Sequence, residues 1–276
     1  MDIYLISGSE IPNLLHGAHN RIVLRYLTDA EKIALEDKLF ETGTPLELPS
    51  SLHVLIIPDI SQRKGTERPT DYYLNLAEFS LSVLSVAGRT KFSIFAFFSN
   101  HQFTFCELIS PLFSDRKPLT FRSSITGITV AQWIYICMKA FKNIGIERMH
   151  ITTTRYLRAL DTNQIGDSLL DLTISLESIL DARTEISFRF GICLSRVAGL
   201  RGNDAENAAK LLSTLYDVRS KITHGDPAVA KALDKLGASI PEIHRLARKI
   251  LVVYMLFVSE HTLADWRNHL HTKLFE

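Results

Sequence analysis

After Gly145 the chain repeats apolar residues at three-and-four spacing and shows no β-rich run of comparable strength, a pattern that a helical bundle satisfies and a sheet does not. Leu169, Leu172, Leu176, Ile179 and Leu180 line one helix face. Ile186, Phe190, Cys193, Leu194 and Val197 line a second, which runs up to Gly199, with a short turn over 181–184 between the two. Asp204 is the predicted N-cap of a long helix whose stripe is Leu211, Leu212, Leu215, Val218 and Ile222. Gly225 supplies the left-handed residue that closes such a helix, with Pro227 just beyond, so His224 is expected at a helix C-terminus. A last long helix begins near Pro241 and carries Ile243, Leu246, Ile250, Leu251, Tyr254 and Phe257, followed by an amphipathic piece over 266–275.

The first half mixes its signals. LHVLII over 52–57, stopped by Pro58, and FSIFAFF over 92–98 read as strands, and the polar stretch 61–70 reads as a loop. Tyr73, Leu76, Ala77, Leu81 and Leu84 recur at helical spacing, as do Val130, Trp133, Ile134, Cys137 and Phe141, the latter set ending near Asn143 and Gly145. The expected fold class is an α+β N-terminal region over 1–147 followed by an all-α helical-bundle domain over 148–276.

With 46% hydrophobic residues the chain can bury a substantial core. Its 31 basic and 30 acidic side chains leave a formal charge of +1, so any nucleic-acid contact has to come from a local patch. Cys106, Cys137 and Cys193 are odd in number and far apart, which points to reduced, buried thiols and not to a disulfide framework or zinc ribbon. The N-terminus lacks the basic and apolar regions of a signal peptide, and the apolar run 250–258 is too short to cross a bilayer of about 30 Å. A cytoplasmic protein without a membrane span is expected. The pairs His16/His19 and His269/His271 have neither i, i+4 spacing nor nearby ligand partners, so no metal is expected. Phosphate-loop, dinucleotide and serine-hydrolase motifs are absent from the sequence, and no cofactor is expected.

The most informative segment is Leu215-Tyr216-Asp217-Val218-Arg219-Ser220-Lys221-Ile222-Thr223-His224-Gly225. It resembles the R-x4-6-H motif of HEPN domains, in the form of the Apea-like branch, where a Tyr-Asp-x-Arg-Ser block leads into His-Gly. LDLTISLESIL over 170–180, with Glu177, resembles that branch's preceding helix, and EISFRFGICL over 185–194 resembles the one that follows it. The resemblance covers the last part of the chain only; nothing before His150 contributes a recognisable motif.

That resemblance implies a HEPN-like bundle and a homodimer in which two motif helices meet. Two Arg and two His side chains would then line one cleft that receives RNA. Arg219 and His224 take the catalytic positions, with Ser220 and Lys221 as candidate RNA contacts. The implied activity is metal-independent endoribonuclease cleavage: the ribose 2′-hydroxyl attacks and a 2′,3′-cyclic phosphate remains. The implied setting is bacterial anti-phage or stress defence, with residues 1–147 sensing a trigger or a protein partner. The residue types suit the chemistry, because imidazole moves protons near neutral pH and a guanidinium stays charged and grips phosphate oxygens in pairs. A five-residue step places His224 about 140° around a regular helix from Arg219, so convergence needs a tightened last turn or a second subunit.

Other readings stay open on the residues themselves. Arg219 can be a surface arginine and His224 an imidazole set favourably against the negative end of a helix dipole. Ser220 stands where many catalytic HEPN members have Asn, Asp or His, which leaves a non-catalytic dimerisation or partner-binding module as the alternative function. Glu177, in an otherwise apolar helix segment, is expected to pair with an arginine of a neighbouring helix, Arg189 or Arg196 being the candidates.

Overall fold

Helical spacing and β-rich runs both leave their mark on the computed structural model, which describes residues 2–7, 17–19, 22–26, 30, 52–57, 79, 93–99, 102–105, 130–180 and 186–275. The chain divides into two compact units, the second of which holds Ile136–Glu276 together with Phe79. In the first unit, β1 (Asp2–Ser7), β2 (Gly17–His19), β3 (Ile22–Tyr26), β4 (Leu52–Ile57), β5 (Ser93–Ser99) and β6 (Gln102–Phe105) form a six-stranded sheet in the order β2-β3-β4-β1-β5-β6. Neighbouring strands run antiparallel, and the β1–β5 register shifts between Leu5 and Ile6, the mark of a bulge. The loop expected over 61–70, the helix expected from Tyr73 to Leu84 apart from Phe79, the turn over 181–184 and Cys106 lie outside the described residues.

From Val130 onward every described element is helical: α1 (Val130–Ile144), α2 (Ile146–Asp161), α3 (Ile165–Leu180), α4 (Ile186–Val197), α5 (Gly202–His224), α6 (Val229–Leu236), a short 3-10 turn (Gly237–Ser239), α7 (Ile240–Glu260) and α8 (Leu263–Phe275). The apolar stripes face one another. Leu169, Leu172, Leu176 and Ile179 of α3, Phe190 and Leu194 of α4, Leu212 and Leu215 of α5, and Ile243, Ile250, Leu251 and Tyr254 of α7 are each fully buried. Pro241 occupies the first turn of α7, where its missing N–H leaves no helical bond unmade. The fully buried Trp266 of α8 donates its indole N–H to Ile179 O at 2.7 Å, which pins the last helix to the end of α3. Among the described residues no helix is long and apolar enough to cross a membrane.

Helix α2 packs against α3 and buries polar groups in doing so. Thr153 Oγ1 bonds back to Met149 O at 2.9 Å, while Thr152 Oγ1 lies 2.6 Å from Ser178 Oγ on α3. Nearby, the buried carboxylate of Asp171 accepts from Arg155 at 2.6 Å and pairs in charge with Arg158 Nε at 3.3 Å. Two guanidinium partners offset its loss of water, so removing them would leave a buried charge unpaired.

Helices α4 and α5 approach closely at Gly191. A Cβ placed there would lie 2.9 Å from the backbone oxygen of Ala209 and nearer still to Ser213 Oγ, and the first of these atoms belongs to the main chain of α5 and cannot rotate away. Gly191→Ala therefore forces the helices apart. The expected loss is about 1–3 kcal/mol, read as a lowered urea midpoint with an unchanged slope. A variant as stable as the parent would contradict this packing.

Candidate functional site

The C-terminal end of α5 is built as the sequence requires. Gly225 takes the left-handed conformation, with φ 64° and ψ 32°. Its N–H bonds to Ile222 O at 3.3 Å, and the N–H of Asp226 reaches back to Lys221 O at 3.0 Å. This is a Schellman closure, in which two otherwise orphaned carbonyls are satisfied and the helix stops. Asp226 Oδ1 then accepts from the Ala228 N–H at 2.8 Å and turns the chain toward α6. His224, the last residue of α5, is exposed, as is Thr223, whose hydroxyl bonds to Arg219 O at 2.8 Å.

Arg219 points elsewhere. Its Nη2 lies 3.5 Å from Glu177 Oε2 on α3, and its guanidinium carbon sits 5.9 Å from the ring centroid of Tyr216, one turn earlier on the same helix. Tyr216 packs against Phe190 of α4 with ring centroids 5.4 Å apart, and its hydroxyl hydrogen-bonds with Glu177. Burial first, then the Glu177 charge and that hydrogen bond, push the Tyr216 phenol above its ordinary value, with Arg219 opposing, so it remains a donor to the carboxylate at neutral pH. Glu177 is thus shared between a phenol and a guanidinium. Arg219 Nε is buried with no hydrogen-bond partner among the described residues, yet the side chain as a whole keeps 28% of its surface.

The pairing corrects the expectation for Glu177: its arginine is Arg219, not Arg189 or Arg196. Arg196 instead donates Nη1 to Lys273 O at 2.8 Å. Asp204 is corrected too. Helix α5 starts at Gly202, three residues earlier than a cap at Asp204 requires, with Arg201 in extended conformation at the cap, and Asp204 lies in the first turn, where its negative charge still meets the positive helix end.

Helix α5 stays α-helical through His224, so no tightened turn swings His224 toward Arg219. The two remain about 140° apart around the axis and about 7.5 Å apart along it. The structure brings Arg219 together with Glu177 and Tyr216, and not with His224. Ser220 and Lys221, half-buried, lie between them on the helix. Tyr216 is the neighbour that the Arg219 and His224 spacing does not point to, although its place three residues before Arg219 puts both on one face of a helix.

The remaining sequence candidates have ordinary surroundings. His269 stacks on Trp266 and tilts against Phe257, while His271 packs against Phe275, so that pair faces different neighbours. His16 lies outside the described residues, and His19 ends β2. Among the described residues no three His, Cys, Asp or Glu side chains form a metal-ligand set. Cys137 and Cys193 are buried and reduced, and burial pushes the Cys193 thiol up to about 11, with Arg189 and Arg196 pulling the other way. A thiol so placed stays protonated at neutral pH. No protein-family model, curated protein or solved structure matches this chain.

The Glu177–Arg219 pair keeps 20% and 28% of its side-chain surfaces, so solvent screens it and its contribution is modest. A double-mutant cycle of Glu177→Gln and Arg219→Gln should give a coupling of about 0.5–1 kcal/mol that shrinks in high salt. Strict additivity of the two substitutions would mean the groups do not interact.

Proposed function

We propose that residues 148–276 form a HEPN-type domain that acts, as a cytoplasmic homodimer, as a metal-independent endoribonuclease. Residues 1–147 would form an α+β region that senses a trigger or partner in anti-phage or stress defence. The observation that supports this best is the state of Arg219. Glu177 and Tyr216 hold it at one edge while its side chain keeps 28% of its surface, about a turn and a half before an exposed His224. An arginine oriented but not used up can take a phosphate through its remaining N–H groups as negative charge builds. His224 then moves the proton of the 2′-hydroxyl or of the leaving oxygen. Ser220 and Lys221 flank the phosphate path. Because the two catalytic side chains point apart on one helix, the motif helix of a second copy completes the site.

The non-catalytic reading has its own support in the same contact. Glu177 already gives Arg219 an anionic partner inside the chain, which is what an arginine tying α5 to α3 would have. Cleavage assays separate the two. The expected result is cutting of single-stranded or loop RNA in EDTA, with 2′,3′-cyclic phosphate ends. Arg219→Ala and His224→Ala should each lose on the order of 10²–10⁴ in rate while remaining folded dimers by light scattering. Neither residue belongs to the buried stripe of Leu212, Leu215 and Val218, so truncation opens no core cavity. Cleavage that needs Mg²⁺ or survives in His224→Ala would overturn the mechanism, and a folded dimer that cuts no RNA would favour the binding module.

A further inference from the structure

At the end of α5 away from His224, a cleft of about 690 Å³ opens where α4 gives way to α5. A volume between about 300 and 1,000 Å³ suits a body larger than one free amino acid. Arg196, Arg201 and Glu206 are the charged residues of its lining, so the cleft carries one positive charge in excess. Arg196 is half-buried and already donates Nη1 to Lys273 O at 2.8 Å. Arg201 and Glu206 are exposed, and among the described residues neither side chain forms an ion pair. Ile192 and Leu200, both half-buried, contribute apolar surface to the same volume. Gly202, at φ 54°, presents backbone there with no side chain in the way.

These features select among anions. Arg201 is the lining guanidinium whose whole fork is open, and two parallel N–H groups match the two oxygens of a single carboxylate. Glu206 repels a second carboxylate on the same ligand, which disfavours dicarboxylic acids, and it accepts from an N–H or O–H donor, which a fatty acid lacks. The excess positive charge is met by one carboxylate without an accompanying ammonium, so a chain end fits better than a zwitterionic amino acid. We propose that the cleft captures the carboxyl terminus of a peptide chain whose last residue is apolar. The terminal carboxylate lies on Arg201 with the remaining N–H groups of Arg196 beside it, the last side chain covers Ile192 and Leu200, and Glu206 accepts a backbone N–H of the residues before it. The first-turn amides of α5, which no side chain caps, add donors beside Gly202. This site does not depend on the ribonuclease reading, because Arg201 and Arg219 are separated by about 27 Å of helix.

Calorimetric titration of the full chain with N-acetylated tetrapeptides tests the proposal: three alanines followed by valine, leucine, isoleucine or phenylalanine, each as the free acid and as the carboxamide. At least one free acid should bind with a dissociation constant below about 1 mM, at least tenfold tighter than its own carboxamide and than free leucine. Arg201→Gln, at an exposed position, and Ala205→Phe, which fills the cleft, should each weaken it at least tenfold with unchanged circular dichroism. Arg201→Gln alone decides if Ala205→Phe alters the fold. Silence from all four free acids, equal affinity for the carboxamides or for free leucine, or undiminished binding in Arg201→Gln would overturn it.

Discussion

The position of α5 rests on the absence of a side chain at Gly191. With a hydrogen in place of a Cβ, α4 can approach the main chain of α5 at Ala209, and the consequences run along α5 toward its C-terminus. Phe190, the next residue on α4, meets Tyr216, and Tyr216 brings its hydroxyl to Glu177 of α3. Arg219, one turn later, reaches the same carboxylate. A contact between two helices thereby determines where a charged group of a third interaction stands.

The two ends of the motif are governed by different physics. Arg219 lies in a partly desolvated seam, where its charge has to be met by an acceptor and a π face, and where a phenol kept protonated shares the load on Glu177. His224 lies where the helix has run out of N–H donors and the Schellman turn has taken up two of the last carbonyls, which leaves its imidazole in solvent. Under the proposed ribonuclease reading, Arg219 and His224, which lie on different sides of one helix, would need a second copy of that helix to complete a site.

Local regularities made the helical half readable. The stripes of α3, α4 and α7, the closing Gly225 and the Pro241 start follow from periodicity and from backbone constraints that act within a few residues. Helix α2 was not legible, because Thr152, Thr153 and Thr154 interrupt its apolar pattern; Thr152 and Thr153 are buried through hydroxyl bonds that periodicity cannot register. The partner of Glu177 was misread for a related reason. Arg219 is 42 residues away and reaches it across the packing of α5 on α3, whereas Arg189 and Arg196 belong to the helix that follows α3 in the chain. The cap of α5 lies three residues before Asp204, because an extended Arg201 followed by a left-handed Gly202 starts the helix without a capping side chain, a geometry that residue type alone does not signal.

The proposed composite site has a direct test in mixed dimers. Co-expressing Arg219→Ala and His224→Ala chains under separate affinity tags, and purifying through both, isolates dimers with one chain of each kind. If Arg219 of one copy works with His224 of the other, one intact pairing survives, and RNA cleavage should return to about half the parental rate although neither parent homodimer cuts. Mixed dimers as inactive as their parents would contradict a site shared across the two subunits.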